Sequence, residues 1–179
     1  MYVYSQEVLK DTEIIGSKML IMYLAEDEQK VGEITDALSR RGVYFGALPK
    51  SEEFCAKIDY VGNAEREIAA CKTTVVMLSK AFFEDRNKTL RNITWFEIGR
   101  VIGLGRKPVL YFLDIPREEV DEYIHRTPVR QIQGCRTADE LFSLVEKCNI
   151  MENLFYADTE INKYASPRII YVKLTTVFN

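Results

Sequence analysis

Lys18-Met-Leu-Ile-Met-Tyr-Leu24 decides the fold, because such a short and nearly continuous apolar run is typical of a strand buried on both faces. A helical pattern follows over Glu28–Arg41, with apolar residues such as Val31 and Leu38 at helical spacing. Gly42 comes next and suits a helix C-cap. This order of strand and helix predicts the first unit of an α/β protein.

The same alternation continues along the chain. It predicts further strands at Val43–Leu48, Thr73–Leu78, Lys107–Leu113 and Val129–Gln133. It predicts helices between and after them at Gly62–Cys71, Thr94–Leu104, Arg117–His125 and Thr137–Cys148. Continuously apolar strands that alternate with helices predict a parallel sheet covered on both faces. We therefore expect an α/β fold whose ligand binds at the carboxyl ends of the strands.

Two long connections follow predicted strands and should meet at that edge. They are Gly46–Val61 and Ser79–Ile93, and both are rich in charged residues. Connections of this length inside a compact domain are uncommon and are often functional. They are predicted to border a binding site, and solvated surface loops are the alternative.

Length and composition indicate one main domain. The chain has 179 residues, of which 47% are hydrophobic and 28% charged, as in ordinary globular proteins. The alternating pattern covers residues 18–148 and leaves extensions at 1–17 and 149–179. Within the second extension, Arg168–Phe178 is rich in β-branched and aromatic residues and predicts an added strand.

Several classes of protein and site are not expected. The formal net charge of −3 gives no basic surplus for binding nucleic acid. The sequence shows neither a signal peptide nor an apolar run long enough to span a membrane, so a cytoplasmic protein is predicted. His125 is the single histidine and the cysteines form no CxxC pair, so we expect no metal site.

The segment Ile93-Thr-Trp-Phe-Glu-Ile-Gly99 contains the candidate catalytic residue. It is predicted to open a helix at the ligand edge, which allows two interpretations of Glu97. Thr94-x-x-Glu97 matches a capping box, in which the carboxylate accepts from a free backbone N–H. Alternatively, Glu97 is an acid at the mouth of a cleft, with Trp95 as an aromatic neighbour.

The order of several segments resembles the Toll/interleukin receptor (TIR) domain family, in particular its stand-alone bacterial members. The segments that carry the resemblance are Met19-Leu-Ile-Met-Tyr-Leu-Ala-Glu-Asp27, Arg40-Arg-Gly-Val-Tyr-Phe45, Gly62-Asn-Ala-Glu-Arg-Glu-Ile-Ala-Ala-Cys-Lys72, Val75-Val-Met-Leu-Ser-Lys-Ala-Phe-Phe83, Trp95-Phe-Glu-Ile-Gly99 and Gly105-Arg-Lys-Pro-Val-Leu-Tyr-Phe-Leu-Asp114. The family's usual spacing is W-x-x-x-E, whereas one residue separates Trp95 from Glu97 here.

The resemblance implies a flavodoxin-like three-layer fold and an enzyme that cleaves NAD at its nicotinamide–ribose bond. It implies that Glu97 is catalytic and that residues 46–61 form a lid loop that also mediates assembly. The substrate-binding residues predicted on this basis are Tyr23, Ser79, Phe82, Trp95 and Arg41. Arg40, Arg41 and Lys80 are the candidates for contact with the diphosphate, and a solvated surface charge is the alternative for each of them.

One carboxylate suffices for such a reaction. The nicotinamide of NAD is cationic and leaves as a neutral molecule, so no general acid has to protonate it. NAD is then the substrate and no further cofactor is required. The resemblance implies an ADP-ribose-type product, linear or cyclic, that signals to a downstream effector in antiphage defence, and it implies self-association or binding to other TIR domains.

Two alternatives remain. Many TIR domains act as non-catalytic interaction modules. Nucleoside 2-deoxyribosyltransferases also place a glutamate before an Ile-Gly pair, as in Glu97-Ile-Gly99. That family expects Gly-Pro after the first strand and Asp-x-Gly-Thr before the glutamate, whereas this chain has Glu26-Asp27 and Asn92-Ile-Thr94.

Overall fold

A computed structural model describes residues 19–43, 45–57 and 59–146 of the chain. Five parallel strands form one sheet in the order β2-β1-β3-β4-β5. The strands are β1 (Met19–Leu24), β2 (Phe45–Lys50), β3 (Thr73–Leu78), β4 (Val109–Phe112) and β5 (Gly134–Cys135). This order is that of flavodoxin-like folds, and it confirms the predicted α/β class.

Helices flank the sheet and cover its central strands. They are α1 (Glu28–Ser39), α2 (Glu52–Cys55), α3 (Tyr60–Ala70), α4 (Lys88–Gly103) and α5 (Val120–Ile124), and residues 138–146 are also helical. All residues of β1 and β3 are buried, as expected for strands covered on both faces. Alternate residues of β1 join one core cluster with α3 and α4, namely Leu20, Met22, Leu24, Tyr60, Ala64, Ile68, Ile98 and Val101.

Glycine follows two of the helices, and for Gly42 this confirms the predicted C-cap. Gly42 follows α1 and Gly105 follows α4, and both have a φ of 74°. A side chain is strained in this left-handed conformation, so glycine is the favoured residue there.

Several predicted elements have other bounds in the structure, and three of the differences are the most instructive. β2 extends to Lys50 instead of ending at Leu48, and α4 begins at Lys88 instead of Thr94. The predicted strand Val129–Gln133 is wrong, because residues 127–132 form turns and bends and the last strand is Gly134–Cys135. Each shift is small along the chain, and the first two change which side chains form the site.

The chain divides into two compact units, Met1–Leu141 and Phe142–Asn179, and all five strands lie in the first. The predicted extensions at 1–17 and 149–179, including the strand predicted at Arg168–Phe178, lie outside the described residues. Within the described ranges, no helix has both the length and the apolar character needed to cross a membrane.

The buried phenol of Tyr111 makes a testable contribution to stability at alkaline pH. Tyr111 lies in β4 with 4% of its surface exposed, and burial raises its pKa to about 12. Above pH 10.0, its ordinary pKa, the unfolded chain loses this proton and the folded chain keeps it. The free energy of unfolding therefore falls with rising pH, by about 1.4 kcal/mol per pH unit for this one group.

Tyr111→Phe is expected to remove that contribution. Urea unfolding measured between about pH 8 and pH 11 should show that the free energy of unfolding falls less steeply with pH for the variant than for wild type. Near pH 8 the phenol is protonated in both states, so any difference there measures packing alone and serves as the control. Equal alkaline slopes for the two proteins would contradict the role of this phenol.

Candidate functional site

Glu97 lies in the middle of α4 and is 4% exposed. The capping-box interpretation is wrong, because α4 begins at Lys88, nine residues before Glu97. Thr94, the supposed cap, is buried within the helix, and its hydroxyl donates to the carbonyl oxygen of Leu90 at 2.9 Å. The carboxylate of Glu97 is therefore not used by the start of its own helix.

Lys50 forms a buried ion pair with Glu97. The distance from Lys50 Nζ to Glu97 Oε2 is 2.7 Å, and the two side chains are 1% and 5% exposed. Lys50 is the last residue of β2 and pairs with Leu24 at the end of β1, so the strand fixes its backbone. Burial lowers the pKa of Lys50, and the charge of Glu97 opposes this shift.

Tyr60 holds the other oxygen of the same carboxylate. Its hydroxyl donates to Glu97 Oε1 at 2.6 Å in a buried contact. Burial is the main cause that raises the pKa of Tyr60, and the charge of Glu97 adds to it, so the phenol keeps the proton that it donates. The ring of Phe54 packs edge-on against Tyr60, with centroids 5.5 Å apart. Two elements, β2 and α3, thus orient one carboxylate from α4.

An apolar cavity of about 340 Å³ lies between α3 and α4, and Glu97 forms part of its wall. The remaining wall is mostly aliphatic and aromatic and includes Ala64, Ile68 and Ile93. Val61 and Phe96 also line it, although they are 60% and 62% exposed. A cavity of this kind suits a flat apolar group better than a phosphate.

A second cavity, also of about 340 Å³, is polar and lies at the carboxyl ends of β1 and β2. It is lined by the last residues of β1 and β2, by the segments that follow β1, β2 and β3, and by the first turn of α4, namely Leu24, Ala25, Glu26, Lys50, Ser51, Glu52, Arg86, Asn87 and Leu90. The prediction that the two long connections meet at this edge is confirmed. Lys50 lines this polar cavity while its ammonium group contacts Glu97.

Arg86 and Asn87 are already paired inside the polar cavity. Arg86 Nη2 lies 2.8 Å from Glu26 Oε2, and Asn87 Nδ2 donates to Glu26 Oε1 at 2.7 Å. An anionic ligand would have to replace Glu26 as their partner.

Tyr23 and Ser79 lie at the ends of β1 and β3, as the resemblance implies, but their polar atoms bind within the protein. The Tyr23 hydroxyl donates to Glu28 Oε2 at 2.8 Å, and burial raises its pKa. The Ser79 hydroxyl donates to the buried Asp27 at 2.6 Å. Neither residue is among those that line the two cavities.

Phe82, Trp95 and Arg41 do not meet Glu97 at a cavity either. The Phe82 and Trp95 rings pack edge to face, with centroids 5.2 Å apart, and Trp95 packs against the hydrophobic core. Arg41 precedes β2, at the end of that strand opposite the polar cavity, and forms an ion pair with Asp139. Among the residues predicted for the site, Glu97 alone lines either cavity.

Sequence reasoning missed Lys50 and Tyr60, the two partners of Glu97. Both were placed inside the long connection Gly46–Val61. One signal was present, because Tyr60, Ala64 and Ile68 recur every four residues and predict a helical apolar face that begins at Tyr60. For Lys50, a lone lysine after Pro49 gives no signal of burial.

A buried carboxylate in the wall of an apolar cavity is suited to stabilising a positive charge. Among the described residues, no group of three or more His, Cys, Asp or Glu side chains is placed to hold a metal ion.

No model of a known protein family matches the sequence, and no curated protein matches it significantly.

Proposed function

We propose that the protein is a TIR-like enzyme that cleaves the nicotinamide–ribose bond of NAD, with Glu97 as the catalytic carboxylate. The observation that carries the proposal is the placement of Glu97, which is buried, already paired with a cation and part of a cavity wall. A buried carboxylate in a cavity wall can stabilise the positive charge of such a transition state when the ammonium group of Lys50 moves aside.

The proposed chemistry places positive charge next to Glu97. As the bond between ribose C1′ and the nicotinamide nitrogen breaks, its electron pair neutralises the pyridinium ring, and C1′ becomes an oxocarbenium-like centre. The carboxylate stabilises that centre or traps it covalently. Water then adds at C1′ and loses a proton to give ADP-ribose, or an internal nucleophile closes a cyclic product.

The two cavities support NAD as the substrate class. The apolar cavity beside Glu97 suits the flat nicotinamide ring. The polar cavity offers Arg86 and Asn87 to the ribose and diphosphate, with release of Glu26. In keeping with the resemblance to stand-alone bacterial TIR proteins, we propose that the product serves as a cytoplasmic signal in antiphage defence, and that self-association of the chain promotes activity.

A non-catalytic interaction module is the second candidate, and one observation favours it. Val61 and Phe96 are 60% and 62% exposed on the neighbouring helices α3 and α4. Adjacent exposed apolar side chains are frequent at surfaces that bind another protein.

Incubation of the protein with NAD at low and high protein concentration, followed by mass spectrometry, tests the proposal. We expect one nicotinamide released for each ADP-ribose-type product, at a rate per protein molecule that rises with concentration. Exchange of bases on deoxynucleosides with NAD left intact would instead establish a deoxyribosyltransferase. Intact NAD together with concentration-dependent association of the chain would favour the interaction module.

A further inference from the structure

We infer that Ala64 sets the size of the base that this site accepts, and that the apolar cavity prefers flat aromatic bases of two fused rings over the single ring of nicotinamide. The inference rests on the proposed function, because it takes this cavity as the place of the leaving base. It deepens that function by naming a class of base and the residue that selects it.

The apolar cavity is a groove that follows two helices over two turns each. The residues that line it recur with the same spacing on both helices, at positions 60, 61, 64, 65 and 68 of α3 and at positions 92, 93, 96, 97 and 100 of α4. The helices run in the same direction, because Tyr60 pairs with Glu97 and, further along both helices, Glu65 pairs with Arg100. Eight residues of an α-helix span about 12 Å, so the groove is longer than one aromatic ring.

Glu97 lies towards one end of this groove, and the other end is apolar. The carboxylate is held by Tyr60, the first residue of α3 in the lining, whereas Ile68 is the last and lies two turns further on. Tyr60, Ala64 and Ile68 are 4%, 3% and 2% exposed, so they form the floor of the groove. A ring beside Glu97 therefore leaves the part at Ile68 empty, and a second fused ring fills it.

The groove is open to a flat ligand as it stands. Val61 and Phe96 line it and are largely exposed, so its mouth lies at the surface. The charges of Glu65 and Arg100 already neutralise each other at the far end, so no charged group of the ligand is needed there. A base can enter this open space without breaking the contacts that hold the carboxylate.

Ala64 has the smallest side chain in the lining and lies midway along the floor. It is one helical turn from Tyr60 and one from Ile68 on the same face of α3. A longer side chain at this position would project between the two parts of the groove. It would close the part at Ile68 to a second ring and leave room for one ring beside Glu97.

Binding of two neutral probes tests the inference without any cleavage. The probes are nicotinamide and quinoline-3-carboxamide, which is nicotinamide with a second aromatic ring fused to it. Calorimetry should show that wild type binds the two-ring probe at least about tenfold more tightly, because the second ring buries further apolar surface. Equal affinities, or a preference for nicotinamide, would overturn the inference.

Ala64→Met and Ala64→Leu should remove this preference. Their affinity for the two-ring probe should fall at least about tenfold, and their affinity for nicotinamide should change by less than about threefold. Ala70→Met, on the exposed surface of the same helix, is the matched control and should leave both affinities unchanged.

The Ala64 variants contradict the inference in three cases. An equal loss of affinity for both probes would mean that the groove is not divided at Ala64. No loss for either probe would mean that the second ring does not pass this residue. Failure of both variants to fold would mean that its side chain packs into the core and does not face the groove.

The probe experiment and the NAD assay fail separately. Size selection by Ala64 in a protein that releases no nicotinamide from NAD would contradict the proposed reaction and leave the specificity of the cavity intact. Cleavage of NAD without any preference for the two-ring probe would leave the reaction intact and overturn the inference.

Discussion

Glu97→Gln is expected to reduce nicotinamide release from NAD by at least about 10²–10³-fold, the usual loss when one charge-stabilising group is removed from a transition state. The amide keeps the size of the side chain and an oxygen that accepts from Tyr60, but it has no charge to offer the ribose. Initial rates of nicotinamide formation, measured at a concentration where wild type is active, give the comparison.

Two further variants separate lost chemistry from lost folding in this test. Glu97→Gln leaves Lys50 buried without its partner, so the single variant is also destabilised. The double variant, Lys50→Met with Glu97→Gln, has no buried charge at the pair. It should be as inactive as Glu97→Gln alone. Glu33→Gln, on the exposed surface of α1, should keep full activity. Full NAD turnover by a folded Glu97→Gln protein would remove Glu97 from the mechanism.

The fold was predictable because burial on both faces leaves a clear pattern. All six residues of β1 and four of the six in β3 are apolar, and helical spacing between the strands identifies the helices. The strand order β2-β1-β3-β4-β5 places the connections after β1, β2 and β3 at one edge. The polar cavity lies at that edge, which is the edge that topology predicts for a ligand.

The start of α4 has only a weak signal in the sequence, because Asn87 is a usual N-cap residue but Leu90, three positions later, completes no capping box. Asn87 precedes the helix, but its side chain makes no cap and binds Glu26 and the carbonyl oxygen of Ala81 instead. Two short 3-10 turns, Ala81–Phe83 and Asp85–Asn87, lead into the helix. Thr94-x-x-Glu97 therefore matched a capping box at a place where no helix begins.

The partners of Glu97 depend on tertiary contacts that local sequence does not encode. Pairing with β1 extends β2 to Lys50, which lies opposite Leu24. Pro49 does not interrupt the strand, because β2 lies at the edge of the sheet, where proline is tolerated. The switch point between β1 and β3, where such folds usually bind a ligand, is occupied by internal bonds such as those from Ser79 to Asp27 and from Lys30 to Asp114. The polar cavity consequently lies at the carboxyl ends of β1 and β2, on the side of β1 away from that switch point.

The second large effect expected is thermodynamic coupling between Lys50 and Glu97. Each single substitution, Lys50→Met or Glu97→Gln, should lower the free energy of unfolding by about 3 kcal/mol, because it strands one buried charge. The double variant should lose less than either single variant, since replacing both partners leaves no charge stranded. Urea unfolding at neutral pH then gives a coupling energy of more than about 3 kcal/mol.

The ion pair between Arg100 and Glu65 provides the matched comparison. Its atoms are 3.1 Å apart, but the side chains are 55% and 46% exposed, so water already solvates both charges. The cycle Arg100→Met with Glu65→Gln should therefore give a coupling below about 1 kcal/mol. If the Lys50–Glu97 cycle gave an equally small value, the pair would not be dry in solution. Water would then solvate the carboxylate of Glu97 in the folded protein. The proposed site depends on a desolvated carboxylate, so it would lose its physical basis.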